Sequence, residues 1–112
     1  MKIVNKTDNV IALYINGSWE TFMPSGLSAK IKETLIPTDN QEIQISRYSY
    51  DGIIGLPDKE DDIIYVVDKI VAIRAWQLLR DDVVYMHQPL VRNDKYQAVA
   101  SLTLVSWQNS RI

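Results

Sequence analysis

The chain has 112 residues, 46% of them hydrophobic and 23% charged, with four Gly, four Pro and no Cys. That is enough for one hydrophobic core and too little for two ordinary domains, and it excludes a disulfide framework, a thiolate zinc site and a thiol nucleophile. A formal net charge of −2 argues against general nucleic-acid binding, which needs clustered Lys and Arg, but leaves room for a small anionic ligand held by a few arginines.

The first strong local signal is Val10-Ile11-Ala12-Leu13-Tyr14-Ile15, then Asn16-Gly17, then Ser18-Trp19-Glu20-Thr21-Phe22. Asn-Gly accepts positive φ at both central positions of a type I′ turn, so residues 10–22 are expected to form an antiparallel hairpin. Pro24-Ser25-Gly26 breaks the pattern as a turn. Lys30 and Lys32 then alternate with Ala29 and Ile31 over residues 28–33, the pattern of a strand with one wet face. A loop is expected around 37–40, followed by a strand over 42–48 with Ile43 and Ile45 toward the core.

The stretch 52–62 holds Gly52, Gly55, Pro57 and four acidic residues and reads as an exposed connection. Ile63-Ile64-Tyr65-Val66-Val67 is a continuous run of the kind buried on both faces inside a sheet. Asp68 stands as a candidate N-cap before a helix over 69–79, whose face Val71, Ala72, Ala75, Leu78 and Leu79 is expected to meet the sheet. Ile70 and Ile73 interrupt the opposite face and point to a further contact, with a loop of this chain or with a second subunit; the expectation is self-association as a homo-oligomer. Val83 to Met86 reads as a strand, and if it neighbours 63–67 the helix between them makes a right-handed βαβ crossover. Residues 96–107 read as one long final strand. The expectation is therefore a single domain, 1–112, of the α+β class: a β-rich chain with an N-terminal hairpin and meander, and one helix packed on a mixed sheet.

No apolar run approaches the roughly 20 residues that span a bilayer, and the first residues lack a signal-peptide core, so a cytoplasmic protein without membrane contact is expected. His87 is the only histidine, which excludes a His-pair metal site. Asp58, Glu60, Asp61 and Asp62 lack the ligand spacing and central Gly of an EF-hand loop. Ser25 is not in a Gly-x-Ser-x-Gly elbow. No catalytic residue, metal or cofactor is assigned, and an enzyme is the less favoured reading.

Several stretches resemble, in order, the landmarks of a family of small proteins found in bacteriophages and in bacterial genomes carrying phage-derived genes. They are Asn5-Lys6-Thr7, Pro24-Ser25-Gly26, Gly55-Leu56-Pro57, Tyr65-Val66-Val67, Arg80-Asp81-Asp82-Val83 and Val91-Arg92-Asn93. Where family members carry Asn-Leu-Thr-Pro-His near the start, this chain has Lys6, Asp8 and Asn9 at three of the positions. The resemblance implies a phage-type accessory protein and carries over no established activity; by analogy with small phage accessory proteins as a class, it would bind and inhibit a host protein or take up a nucleotide signal of a host defence system.

The residues offer one candidate site. Arg80 and Arg92, at expected loop junctions, could grip a phosphate with a fork that Lys cannot match, with Asp82, Ser25 and Gly26 beside them and Tyr48, Tyr50 and Trp107 as stacking surfaces for a base. The structural alternative for Arg80 is a local pairing with Asp81 or Asp82 or with the helix carbonyls. Three functions follow: sequestration of a small anionic, nucleotide-like ligand; protein-protein inhibition or adaptation through Ile70, Ile73 and edge strands; and a small nucleotide-processing enzyme using Asp68 or Asp82 as base.

Overall fold

A computed structural model describes residues 1–38, 45–87, 91–95, 98–101 and 103–106. In chain order its elements are β1 (Lys2–Asn5), β2 (Ile11–Ile15), β3 (Ser18–Phe22), β4 (Lys30–Thr38), β5 (Ile45–Ile54), β6 (Ile63–Val66), α1 (Lys69–Gln77), β7 (Val83–His87), β8 (Val91–Arg92), β9 (Ala98–Ser101) and β10 (Thr103–Val105).

The β-branched run Ile63–Val66 forms an inner strand of a mixed sheet ordered β1-β6-β7-β10, in which β1, β6 and β7 are parallel and β10 is antiparallel to β7. Alternation along β6 explains why a continuous apolar run is needed there. Tyr65 and Val67 pack with Val71, Ala72, Ala75 and Val83 under the helix, while Ile64 and Val66 pack with Ile11, Leu13, Val84 and Met86 on the other side. That second side is covered by a sheet ordered β3-β2-β9-β8. The fold is thus helix on sheet on sheet, an α+β domain with mixed sheets, and β6 and β7 are the parallel neighbours that α1 connects.

The hairpin forms as its turn chemistry demands. Asn16 and Gly17 take φ of 49° and 83°, and Ile15 pairs with Ser18 across a two-residue loop. The helix is shorter than expected. It ends at Gln77, Leu78 caps it, and Leu79 turns left-handed at φ 65° so that Leu79 N–H reaches the Trp76 carbonyl and Arg80 N–H the Ala75 carbonyl. This is a Schellman ending with leucine where glycine is usual. Leu78 and Leu79, expected on the buried face, are instead 45% and 75% exposed, because the chain leaves the helical path before reaching them. Asp68 occupies the N-cap position, but its side chain makes no capping bond.

Three further expectations change. The strand expected over 28–33 and the loop expected near 37 become one nine-residue strand, β4, paired with ten-residue β5 through Pro37 opposite Ser46 and Thr38 opposite Ile45. Gly52, Ile53 and Ile54 belong to β5 rather than to an exposed connection, because Ile31 and Ile53 pair at the base of this ribbon and pack against the core under α1. The final strand is two strands. Ser101, fully buried, holds the break: its hydroxyl lies 2.6 Å from the His87 carbonyl and 2.8 Å from that of Thr103, and it accepts the Thr103 N–H. β9 therefore pairs with β2 in one sheet and β10 with β7 in the other. The expected strand positions Glu42, Ile43 and Gln44 lie outside the described residues.

Candidate functional site

Arg80 and Arg92, the fork proposed from sequence, belong to parts of different sheets, Arg80 in the connection into β7 and Arg92 on β8. Arg80 spends its fork inside the molecule: Nε donates to Asp82 Oδ1 at 2.9 Å, and Nη2 donates to Asp82 Oδ2 at 2.8 Å and to the Pro57 carbonyl at 2.9 Å. Asp82 is only 4% exposed, and this bidentate bond raises the pKa of Arg80 above its ordinary value. The pair fastens the chain leaving α1 to the segment after β5, which is the structural alternative weighed for Arg80.

Arg92 lies elsewhere. Val83, next to the Arg80–Asp82 pair, is at the amino end of the parallel strand β7. Arg92 is exposed on β8 in the other sheet, and neighbouring Asn93 reaches Asn9 in the loop leaving the carboxyl end of β1. Tyr48 and Tyr50 stand on β5 opposite Leu35 and Glu33. Trp107 lies outside the described residues. His87 is exposed at the end of β7, and Asp58, Glu60, Asp61 and Asp62 are exposed.

Ser25 and Gly26 sit beside a more developed feature. Between the outer strand of one sheet, β1, and the outer strand of the other, β3, runs a groove of about 250 Å³ lined by Lys2, Ile3, Val4, Asn5, Thr21, Phe22, Met23 and Ser25. Asn5 on its lining is held by the Asn5-Lys6-Thr7 stretch. Asn5, 1% exposed, donates from Nδ2 to the Asn9 and Phe22 carbonyls, and its Oδ1 accepts both the N–H and the hydroxyl of Thr7. Asn5 also bridges Pro24 through the backbone, and its carbonyl accepts the Ser25 N–H. Lys6, buried beside it, donates from Nζ to the Ser25 carbonyl at 2.6 Å. An amide that satisfies four partners while buried fixes where the two edges meet.

From that junction the edges diverge with open hydrogen-bonding groups. Lys2 and Lys6 donate their N–H groups to Asp62 and Val66 on the β6 side. In a parallel ladder alternate residues face opposite ways, so Lys2, Val4 and Lys6 face β6 while Ile3 turns its N–H and C=O to the groove. Across it, the two-residue hairpin makes Ser18, Glu20 and Phe22 the residues bonded to β2 and leaves the N–H and C=O of Thr21 pointing outward. Neither Ile3 nor Thr21 has another backbone partner among the described residues. Met1, Met23 and Leu27 add exposed apolar surface from neighbouring chain.

The electrostatics at the carboxyl end of β1 and β6 involve three elements. Asp8 pairs with Lys30, whose hydrogen bond, helped by Ser28, pulls the Asp8 carboxyl below its ordinary value. Withdrawal of the Asp68 carboxyl from solvent pushes its pKa up, with Lys30 opposing and Asp8 reinforcing the shift. Among the described residues no three His, Cys, Asp or Glu converge as a metal site, and no helix is long and apolar enough to cross a membrane.

No family model, curated protein or solved structure matches this chain.

Proposed function

We propose that the protein is a non-catalytic binding module that takes an extended segment of a partner protein into the groove between β1 and β3, in the manner of strand addition at a sheet edge. The observation that carries this reading is the pair of open edges: Ile3 and Thr21 present backbone donors and acceptors to the same groove, and apolar Phe22 and Met23 line it. Main-chain bonds to such edges supply affinity, and alternate side-chain sites supply choice. The landmarks quoted above add a phage-type inhibitor or adaptor acting on a host protein in the cytoplasm as the biological setting.

The alternative reading, sequestration of an anionic nucleotide-like ligand, has less support from the geometry. Arg80 would have to give up Asp82 and Pro57 to serve an incoming phosphate, leaving a buried carboxylate unpaired. The groove volume falls below the roughly 300–1,000 Å³ typical of small-molecule sites.

The test is a selection from displayed random hexapeptides, followed by amide-shift mapping of a selected peptide on the chain. Shifts centred on Ile3, Asn5 and Thr21, abolished in Ile3→Pro, which loses the groove-facing N–H, and kept in Ile3→Ala, which loses the same core-packed side chain but retains that N–H, support the proposal. Binding that maps to Arg80 and Arg92, or a response only to a panel of nucleotides, would return the anion reading to first place.

A further inference from the structure

The groove between β1 and β3 adjoins a charge that main-chain pairing leaves unused. Lys6 is 6% exposed, and its Nζ donates to the Ser25 carbonyl at 2.6 Å and to no other group among the described residues. Ser25 lines the groove, so the ammonium stands one hydrogen bond from the lining. An ammonium carries three donors, and burying its charge is costly unless an opposite charge meets it. Neither Lys6 nor Lys2 has an ion-pair partner among the described residues, and Asp62, which lies beside Lys2, pairs with the amino terminus instead.

The two lysines share a face of the sheet. The Lys6 N–H bonds the Val66 carbonyl and so carries the β1 ladder one residue past Asn5. Strand alternation then puts Lys2, Val4 and Lys6 on the α1 side, where Val4 packs, and Ile3 on the opposite side, where it packs beside Ile11 and Leu13. A strand added to the open edge of β1 alternates in the same sense, so every second side chain of it comes up beside this row. Pro24 already pairs with β1 at Asn5, so the added strand ends there, with its near end closest to Ser25 and the Lys6 ammonium. The groove lining itself carries the Lys2 ammonium and no carboxylate, and Glu20, the acid of β3, is exposed and off that lining.

We propose that the segment taken up by this groove is acidic: an extended stretch with Asp or Glu at alternate positions, the carboxylate nearest the Asn5–Pro24 junction accepting from Lys6 Nζ and the next lying beside Lys2. The proposal rests on the groove reading above and names the chemistry of its partner. The carboxylate supplies the counter-charge that Lys6 lacks and leaves the Ser25 carbonyl its bond, because the ammonium has donors to spare. Side-chain carboxylates are the source, since alternate positions bring two acids, one for each lysine, and a chain terminus brings one. The chain as a whole carries a formal charge of −2, so the attraction is confined to this edge and steers an acidic segment there rather than elsewhere on the surface.

The experiment starts from the hexapeptide selection, each recovered peptide being synthesised acetylated and amidated so that only side chains carry charge. Peptides whose amide shifts map to Ile3 and Thr21 are expected to hold Asp or Glu at alternate positions. By titration calorimetry at low salt such a peptide should bind at least about tenfold more tightly than its Asn or Gln counterpart, and the advantage should shrink as salt is raised. The Lys6 side-chain Cε and Nζ resonances should move with the acidic peptide and stay with the neutral one, a readout that needs no substitution. Lys6→Met should erase the preference, and Lys2→Met, at an exposed position, should lower it about two- to threefold, with melting temperature followed in both. Should Lys6→Met fail to fold, the Lys6 resonances and Lys2→Met decide. With no peptide mapping to the groove, strand addition falls and the acidic partner with it. Groove peptides without acidic residues, equal binding of the neutral counterpart, or Lys6 resonances that do not move would overturn the acidic partner alone and leave strand addition standing.

Discussion

Asn5, Gly55 and Arg80 are residues whose value is that of a brace. Asn5 joins two sheet edges through its bond to the Phe22 carbonyl and holds the loop after β1 through three more, Gly55 lets the chain leaving β5 pass the Ser28 backbone, and Arg80 ties Asp82 to Pro57. Each falls in a stretch that stood out in the sequence, so those stretches are explained by folding before any ligand is invoked. Arg80→Lys keeps the charge and loses the fork, and it should lower stability by about 1–2 kcal/mol in urea unfolding. Asp82→Asn should cost more, about 2–3 kcal/mol, because a partly buried guanidinium loses its counter-charge. An unchanged midpoint in either would show that the brace does not bear on stability. Leu79 offers the opposite sign. It holds a left-handed conformation that disfavours every side chain, yet it is exposed and packs little. Leu79→Gly should therefore raise stability by about 0.5–1 kcal/mol, read as a higher melting temperature.

Among the elements, those set by local chemistry were legible in the sequence and those set by distant contacts were not. Asn16-Gly17 dictates its own turn, and the helix declares itself by a Gly- and Pro-free run with small residues on one face. The helix end misled because Leu78 and Leu79 continue the apolar period while the backbone stops at Gln77; a glycine at 79 would have been the signal. Gly52 made the end of β5 look like a connection, although pairing of Ile53 with Ile31 makes it strand. The groove was nearly invisible, since it is formed by two edges 17 residues apart in sequence at Asn5 and Phe22, and on its lining Ser25 alone stood as a candidate ligand residue while Asn5 was marked only by the resemblance. Ser101 illustrates a break that composition cannot show. Its hydroxyl replaces ladder partners where the chain changes sheets, so Ser101→Ala should leave the His87 carbonyl and the Thr103 N–H without it and cost about 1–3 kcal/mol. A loss below about 0.5 kcal/mol would mean that the two strands hold their sheets without the hydroxyl.

At the scale of the whole molecule, the loop after β1, the start of β4 and the start of α1 meet through Asp8, Lys30 and Asp68, and the two carboxyls respond to pH in opposite senses. Asp8 is depressed by its hydrogen bond from Lys30, so the stability it contributes is present above the ordinary carboxylate value of 3.8 and is lost as pH falls through its lower folded value. Asp68 is raised by withdrawal from solvent, so its folded state is favoured with the proton on. That advantage is complete below 3.8 and disappears as pH rises through the folded value. Relative to wild type, Asp8→Asn should therefore be less stable at pH 7 and converge with it at the acid end. Asp68→Asn removes the charge without losing any capping bond and should be more stable at pH 7, converging likewise on acidification. Both differences should stay under about 1 kcal/mol, because both groups are near the surface. The shared Lys30 adds a sharper consequence. In Asp8→Asn the ammonium is free to favour ionised Asp68, so the gain from Asp68→Asn should shrink or reverse in the double variant. Urea unfolding of the four proteins between about pH 3 and 7 measures this coupling, and strictly additive differences across that range would show that Lys30 does not link the loop, β4 and the helix.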